Sequence, residues 1–434
     1  GDRGGGYGGG SRRDLSGFYG GGGGGDRWYG LDGGDSFEAN MDQDEAAFRQ
    51  QFGAPHSSGI DFGKYADIPV EVELPRDMDQ LPPEMAPVQD FIGLKCGRVL
   101  GRNLRFAGFQ QPTPVQGNSV PMAIGGLDVI SVAQTGSGKT LAFMLPILYK
   151  LLEAGPANSG GGGGRNSVVA ISGLALSPTR ELAQQIHEES KKFAFRTGLK
   201  ICVAYGGTPF GEQMRELERG CDVLVATPGR LDDMIQRRRV TLSEVRFLVL
   251  DEADRMLDMG FEPQIRKIVR QVPPQRQTLF YTATWPKQVR ALAYEFMRSP
   301  VQVEVGDINS LNANKDITQY VHVTRGPGEK QQMLMRIFQS LEAGSRTLVF
   351  TSTKRMADQL GMQLGRQIGS GVIHGDKDQR EREAVLADFK SGRRPVMIAT
   401  DVAARGIDVK ECKAVINYDF PGNIEDYVHR IGRT

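Results

Sequence analysis

Two tandem doubly wound α/β domains, each a parallel sheet flanked by helices, are what this sequence predicts, behind a glycine-rich N-terminal tail. Three observations lead there. From about Pro87 onward, short β-rich apolar runs alternate with amphipathic stretches of helical period, the pattern of parallel strands joined by crossover helices. The pattern lapses into polar residues around Gly306–Asp316 and then resumes, which divides the chain in two. Early in the first half an apolar run passes through a glycine-rich turn straight into an apolar helical stretch, the order of elements that cradles phosphate groups.

Taken in order, residues 1–30 hold 15 glycines, the scattered Arg3, Arg12, Arg13 and Arg27, and the aromatics Tyr7, Phe18, Tyr19, Trp28 and Tyr29. Such a segment buries too little apolar surface to offset its chain entropy, so disorder is expected. Arginines among glycines and aromatics can stack on unpaired bases, and a purely solubilising tail fits equally well. Asp32, Asp35, Glu38, Asp42, Asp44 and Glu45 follow without a base among them, the composition of a solvated linker. The expected divisions are a tail over 1–60, an extended linker over 61–86, a first domain over 87–305, a linker over 306–318 and a second domain over 319–434. Strand candidates in the first are Asp128–Ala133, Leu174–Ser177, Asp222–Ala226, Arg246–Leu250 and Thr278–Tyr281; in the second, Arg346–Phe350, Gly371–His374, Pro395–Thr400 and Ala414–Tyr418. Ala154–Ser167, with its five-glycine run, reads as a surface loop.

Bulk composition narrows the class. Lys+Arg 53 against Asp+Glu 52 gives no overall basic attraction for nucleic acid, so any such face must be local. Cys96, Cys202, Cys221 and Cys412 lie far apart without metal-type pairing and read as free thiols of a reducing compartment. No apolar run approaches the roughly 20 residues a membrane span needs, and the glycine-rich start has no secretory pattern. The chain opens on Gly1 rather than Met, and its natural start is expected upstream.

The phosphate loop is Gln134-Thr135-Gly136-Ser137-Gly138-Lys139-Thr140, between Asp128–Ala133 and a helix from Leu141. Backbone N–H groups and the helix N-terminus face the anion, and Gly136 and Gly138 allow close approach. Lys139 supplies a point charge for the β- and γ-phosphates and Thr140 a hydroxyl for Mg²⁺. Ala133 stands where the general pattern has its first glycine, so the spacing alone also fits an ordinary strand–helix turn. Some 110 residues on, Asp251-Glu-Ala-Asp254 directly follows an apolar strand. Carboxylates at that end of a parallel strand lie where open α/β sheets bind ligands. Asp251 suits Mg²⁺ and Glu252 suits the attacking water, the two needs of nucleotide hydrolysis. Alone, the four residues would fit a charged helix start.

With these motifs in place, the chain resembles the DEAD-box ATP-dependent RNA helicases, in their Vasa-like branch with glycine-rich tails, over about Phe91–Thr434. The resemblance implies two RecA-like domains. Gly108-Phe-Gln-Gln-Pro-Thr-Pro-Val-Gln116 resembles the family's adenine-reading motif, with Phe91 as its upstream aromatic. It implies that Gln116 reads the adenine edge, Phe109 stacks on the ring, and Gln111 lines the same site. Pro178-Thr-Arg-Glu-Leu182, Gly206-Gly207 and Thr227-Pro-Gly-Arg230 match family segments that line the RNA backbone, which implies Arg180, Gly207, Thr227 and Arg230 as contacts. Hydroxyls, glycine amides and arginines read phosphate and sugar without reading bases. His374-Gly375, Gln379-Arg380 and Thr400 correspond to the other half of the track, with Gly375, Arg380 and Thr400 as contacts. Thr282-Ala-Thr284 stands where the family has S-A-T, implying that Thr282, Thr284 and Asp254 couple turnover to strand separation. Asp401–Asp408 resembles the motif touching both ligands, with Asp408 on the ribose. His429-Arg-Ile-Gly-Arg-Thr434 resembles the last motif, implying Arg430 and Arg433 at the γ-phosphate. The family pattern runs two residues past Thr434, so a truncated second domain is expected.

What the resemblance implies is an ATP- and Mg²⁺-dependent clamp on the RNA backbone, monomeric, intracellular in nucleus or cytoplasm, off the membrane and open to protein partners through its tails. A DNA translocase of the same fold and a non-hydrolysing RNA scaffold are the rival readings. Substrates differing in 2′-hydroxyls separate the first, and an ATPase assay the second. A metabolic kinase of the same loop type has no lid or acceptor site to support it.

Overall fold

A computed structural model of the chain describes residues 31–32, 37, 40–54, 68–134, 136–154, 168–306, 317–401, 412–422 and 424–433. The expectations for the tail at 1–30, the loop at 155–167, and the linker at 307–316 lie outside the described residues, as do those for Thr135 and Asp408.

The first unit is built on strands β1 (Val70–Glu73), β2 (Val129–Val132), β3 (Val169–Ala170), β4 (Gly173–Leu176), β5 (Ile201–Ala204), β6 (Val223–Ala226), β7 (Val240–Thr241), β8 (Phe247–Leu250), β9 (Gln277–Thr282) and β10 (Val301–Val305). Eight of them form one sheet in the order β1-β10-β2-β9-β8-β4-β6-β5, parallel throughout except for β1 on β10. β3 and β7 pair separately. Strands β2, β4, β5, β6 and β8 are buried at every position, because helices cover both faces of a parallel sheet. Successive side chains serve opposite cores: Leu279 and Tyr281 pack with Val129 and Phe143, whereas Phe280 packs with Ile130, Val132 and Leu248.

The second unit has β11 (Arg346–Phe350), β12 (Ser370–Ile373), β13 (Val396–Ala399) and β14 (Cys412–Asn417), in the order β12-β13-β11-β14 and all parallel. Every strand candidate read from the sequence coincides with one of these fourteen to within about two residues at either end. Strands β1, β3, β5, β7 and β10 were not singled out. All four cysteines are free and buried, and no helix among the described residues is long and apolar enough to cross a membrane.

The structure differs from the sequence expectation at the N-terminal side, where order begins well before Pro87. Met41–Phe52 is a helix, and β1 lies inside the stretch expected as an extended linker, paired register-for-register from Val70↔Val305 to Glu73↔Gln302. The acidic run is not simply solvated. Asp44 is fully buried: Arg102 Nη1 donates to its Oδ2 at 2.6 Å and Arg196 donates to its Oδ1. Arg102, itself fully buried, turns its other donors to Asn103 Oδ1 at 3.1 and 3.0 Å. Asn103 Nδ2 donates in turn to the Phe193 and Phe195 carbonyls, both at 2.8 Å. Phe48 fills the space beside them, its ring 5.3 Å from Phe195 and 5.6 Å from Phe106. Phe48 and Phe52, four residues apart with rings 4.8 Å from each other, give the helix an apolar face, which the surrounding acids mask in a composition count.

A buried carboxylate with arginine partners predicts a specific cost. Asp44→Ala removes the buried carboxylate that Arg102 and Arg196 share and should destabilise the first unit by about 3–5 kcal/mol. Urea denaturation measures it; a loss within about 0.5 kcal/mol would return the segment to a solvated linker.

Candidate nucleotide site and the facing unit

The glycine loop leaves β2 and starts the helix Lys139–Glu153, with Gly138 as its N-cap in the left-handed conformation at φ 84°. A Cβ on Gly138 would lie 2.3 Å from Gln116 Nε2, so no other residue fits there without displacing that amide. The reason is a brace under the loop. Gln116 Nε2 donates to the Gly138 carbonyl at 3.0 Å, and Thr113 Oγ1 donates to the Ser137 carbonyl at 2.7 Å. Thr113 and Gln116 also cap the helix Pro114–Ile124 reciprocally, the Thr113 N–H reaching Gln116 Oε1 at 2.9 Å. Both ends of the Gln116 amide therefore have protein partners. Phe109 packs edge-on between Phe193 and Phe91, centroids 5.6 and 6.2 Å away. Gln111 and Gln134 are exposed nearby.

Beneath the loop, charge gathers at the carboxyl ends of β2 and β8. Lys139, Asp251, Glu252 and Asp254 are all buried. Lys139 Nζ donates to the Ala133 carbonyl at 3.0 Å. Burial pushes the Asp251 carboxyl up to about 7, with nearby Lys139 pulling it down and Glu252 pushing it further up. Glu252 adopts a left-handed backbone, φ 50° and ψ 52°, that few residues with a Cβ take. It sits between the end of β8 and the helix Ala253–Asp258, a strained turn of the kind that gathers at functional sites. Asp254 is committed to the neighbouring segment: Thr284 N–H and Oγ1 both donate to its Oδ2, at 3.1 and 2.8 Å. Thr282 Oγ1 donates to the Thr284 carbonyl at 2.9 Å, and the Ala133 N–H donates to the Thr282 carbonyl at 3.0 Å. Asp254, Thr282 and Thr284 thus form one bonded path back to the glycine loop.

A second cluster lies beyond the ends of β4, β5 and β6. Thr179 caps the helix Arg180–Phe193. A Cβ on Gly207, at φ 88°, would overlap Arg180 Nη1, so glycine is required against that guanidinium. Arg230 reaches the same turn, donating to the Thr208 carbonyl at 2.9 Å and to Gln213 Oε1 at 2.6 Å. Thr227 stands at the start of the helix Pro228–Gln236. The structure thus brings Arg180, Gly207 and Arg230 together.

The second unit faces this cluster. Arg180 Nη1 donates to Gln379 Oε1 at 2.8 Å, and Arg382 pairs with Glu181 at 2.5 Å. Glu181, Gln379 and Arg382 had not been assigned these contacts, although Gln379 and Arg382 are three apart on a helix and so share a face. Arg380, between them, is exposed, and Gly375 lies against Lys354. Thr400 closes β13, its N–H reaching the Ile373 carbonyl at 3.4 Å.

Arg430, expected at the γ-phosphate, is 2% exposed and held within the second unit: its Nε and Nη2 donate bidentately to Asp401 at 2.5 and 2.7 Å, and its Nη1 serves Asn417 and the Asp419 carbonyl. Arg433, on the turn after the helix Ile424–Ile431, is half-buried.

The DEAD/DEAH box helicase model matches residues 113–292, and that of the helicase conserved C-terminal domain matches residues 329–434. DEAD-box ATP-dependent RNA helicase 14 of Arabidopsis thaliana is 52% identical over 356 residues, 82% of this chain and 55% of that protein. The ATP-dependent RNA helicase-like protein DB10 of Nicotiana sylvestris is 52% identical over 349 residues, 80% of this chain and 56% of that protein. The chain thus spans little more than half the length of these relatives. Among solved structures, S. cerevisiae Dbp5 bound to RNA and ADP BeF3 aligns with TM-score 0.67 at 27% identity, covering 80% of this chain and 86% of that one.

The raised Asp251 carboxyl predicts a pH signature. A folded-state value of about 7 against an ordinary 3.8 means the folded form holds the proton more tightly, so stability falls as pH rises between those values. In protein free of nucleotide and metal, Asp251→Asn should therefore raise the melting temperature at pH 8 and change it little at pH 4. An equal effect at both pH values would contradict the assignment.

Proposed function

The chain belongs to the DEAD/DEAH box helicase family, and from that premise we propose that it is an ATP-dependent RNA helicase that clamps the RNA backbone and parts short duplexes. The observation that carries this reading is the buried Lys139–Asp251–Glu252 cluster beneath a glycine loop. Lys139 binds the β- and γ-phosphates, with the loop amides of Gly136–Thr140 around them. Phe91, Phe109, Gln111 and Gln116 border the nucleoside and Gln134 opens the phosphate loop; the roles of Thr135 in that loop and of Asp408 at the ribose rest on the sequence resemblance alone. Gln116 shares its amide between the Gly138 carbonyl and the base edge, so base recognition and loop position are linked.

Asp251 and the Thr140 hydroxyl fit Mg²⁺: both are hard oxygen donors, and the described residues hold no cluster of three or more His, Cys, Asp or Glu side chains that could cage a metal alone. Mg²⁺ favours that arrangement, keeping waters and substrate phosphates among its ligands. When bound, it neutralises charge developing on the phosphates. Burial raises the Asp251 carboxyl to about 7, so a cation held there would favour its ionised form. Glu252, in its left-handed turn, holds the attacking water and takes its proton. Arg433 approaches from the second unit and offsets charge on the γ-phosphate.

On the other face, Arg180, Gly207, Thr227, Arg230, Gly375, Arg380 and Thr400 meet phosphate and sugar. The Arg180–Gln379 and Glu181–Arg382 contacts bring the two halves of that track side by side. A solved neighbour that holds RNA and a nucleotide analogue together supports pairing the two ligands in one molecule. We infer nucleus or cytoplasm as the place of such work.

Chemistry and binding separate by mutation. Glu252→Gln keeps the shape but cannot accept a proton, so it should lower RNA-stimulated hydrolysis by about 10²-fold or more while ATP-dependent RNA binding persists. Lys139→Ala should instead weaken ATP binding itself. Wild-type turnover by Glu252→Gln at saturating RNA would remove Glu252 from its role.

A further inference from the structure

We propose that Arg255 and Asp426 are a positioning pair that sets the carboxylate turn of the first unit against the arginine-bearing helix of the second. The proposal deepens the functional reading above and rests on it. Arg255 Nη1 donates to Asp426 Oδ1 at 2.6 Å, between residues 171 apart in the chain. The side chains are 4% and 15% exposed, so solvent screens this pair far less than a surface one. Arg255 also touches Asp258 at 3.4 Å, a longer contact to a half-exposed carboxylate on the same helix.

What each partner is attached to gives the pair its effect. Arg255 lies three residues after Glu252 on the short helix that the left-handed turn begins. Its backbone N–H donates to Asp254 Oδ1 at 3.0 Å, while Asp254 Oδ2 takes both donors of Thr284. A displacement of Arg255 therefore reaches the proposed catalytic carboxylate and the Thr282–Thr284 path within one helical turn. Asp426 lies on Ile424–Ile431, four residues before Arg430 and so on its face of the helix. Arg430 ties that helix to Asp401, which follows Thr400 at the end of β13. Asp426 thus belongs to a rigid body that carries Arg433 at one end and borders the proposed RNA contact Thr400 at the other. Neither Arg255 nor Asp426 is placed against nucleotide or RNA; they act through the elements they join.

The contacts between Arg180, Glu181, Gln379 and Arg382 join the units on the proposed RNA side. Arg255–Asp426 joins them beside the carboxylate turn. The first two contacts leave the units free to rotate about the line through them; a third contact beside the carboxylate turn removes that freedom and aligns Arg433 with Glu252.

The test uses the charge-swapped pair. Arg255→Asp, Asp426→Arg and the double variant are assayed for RNA-stimulated hydrolysis, and for inter-unit distance by energy transfer between labels at introduced surface cysteines, the four native thiols being buried. Each single reversal should lower kcat at saturating RNA by roughly tenfold or more while the KM for ATP stays within about twofold, and should widen the distance distribution. The double variant should recover most of both. A generally damaged fold would not be rescued by a second reversal. Singles with wild-type kcat, or a double variant no better than the product of the singles in both readouts, would overturn the proposal. The distance measurement needs no turnover, so a wild-type protein that fails to hydrolyse ATP would sink the functional reading while the pair is still judged on its distances.

Discussion

Four buried charged side chains, Lys139, Asp251, Glu252 and Asp254, at the carboxyl edge of one sheet are the constraint that the rest of the first unit answers to. Burying ionised groups is costly unless each finds a partner. Asp254 finds Thr284, and Lys139 finds the Ala133 carbonyl and the field of the carboxylates. Asp251 is left only partly compensated, and its carboxyl rises to about 7. A core built for stability alone would fill this space with apolar side chains. A site prepared for a polyanion and its cation holds such charges ready, because the ligands complete the neutralisation. The brace of Thr113 and Gln116 has the same logic, holding the glycine loop from below through the Ser137 and Gly138 carbonyls.

The same economy of partners explains why some residues that look alike in the sequence have different roles. Arg430 and Arg433 stand three apart in one motif, yet the first is locked to Asp401 and serves the second unit's own packing. Arg180 and Arg230, both offered as phosphate contacts, each hold protein oxygens as well: Gln379 for one, Gln213 and Thr208 for the other. Those bonds orient the guanidinium groups in advance, and a guanidinium retains further donors for a ligand.

Much of the fold was legible because parallel strands covered on both faces leave continuous apolar runs. Leu248-Val-Leu250 before Asp251 is such a run. Strand β1 was not legible: Val-Glu-Val-Glu alternates, as an edge strand exposed on one side does, but four residues are too few to separate it from a linker. The helix Met41–Phe52 was hidden by its charge, since the partners that bury Asp44 stand 58 and 152 residues away. Motif spacing marked Lys139, Asp251 and Glu252, which the structure brings together, whereas the contacts between units escaped it. A pair such as Glu181 and Arg382 is defined by the assembled surfaces of two units, and nothing local to either residue marks it.

The central claim is that one closed arrangement of the two units serves nucleotide and RNA together. Thermodynamic linkage makes that measurable, because each ligand must then strengthen the other by the same factor. Equilibrium RNA binding should be measured with and without a non-hydrolysable ATP analogue, and analogue binding with and without RNA. The account predicts a strengthening of roughly 5- to 150-fold, equal within error in both directions. Independent binding, with a factor near one in each direction, would contradict it.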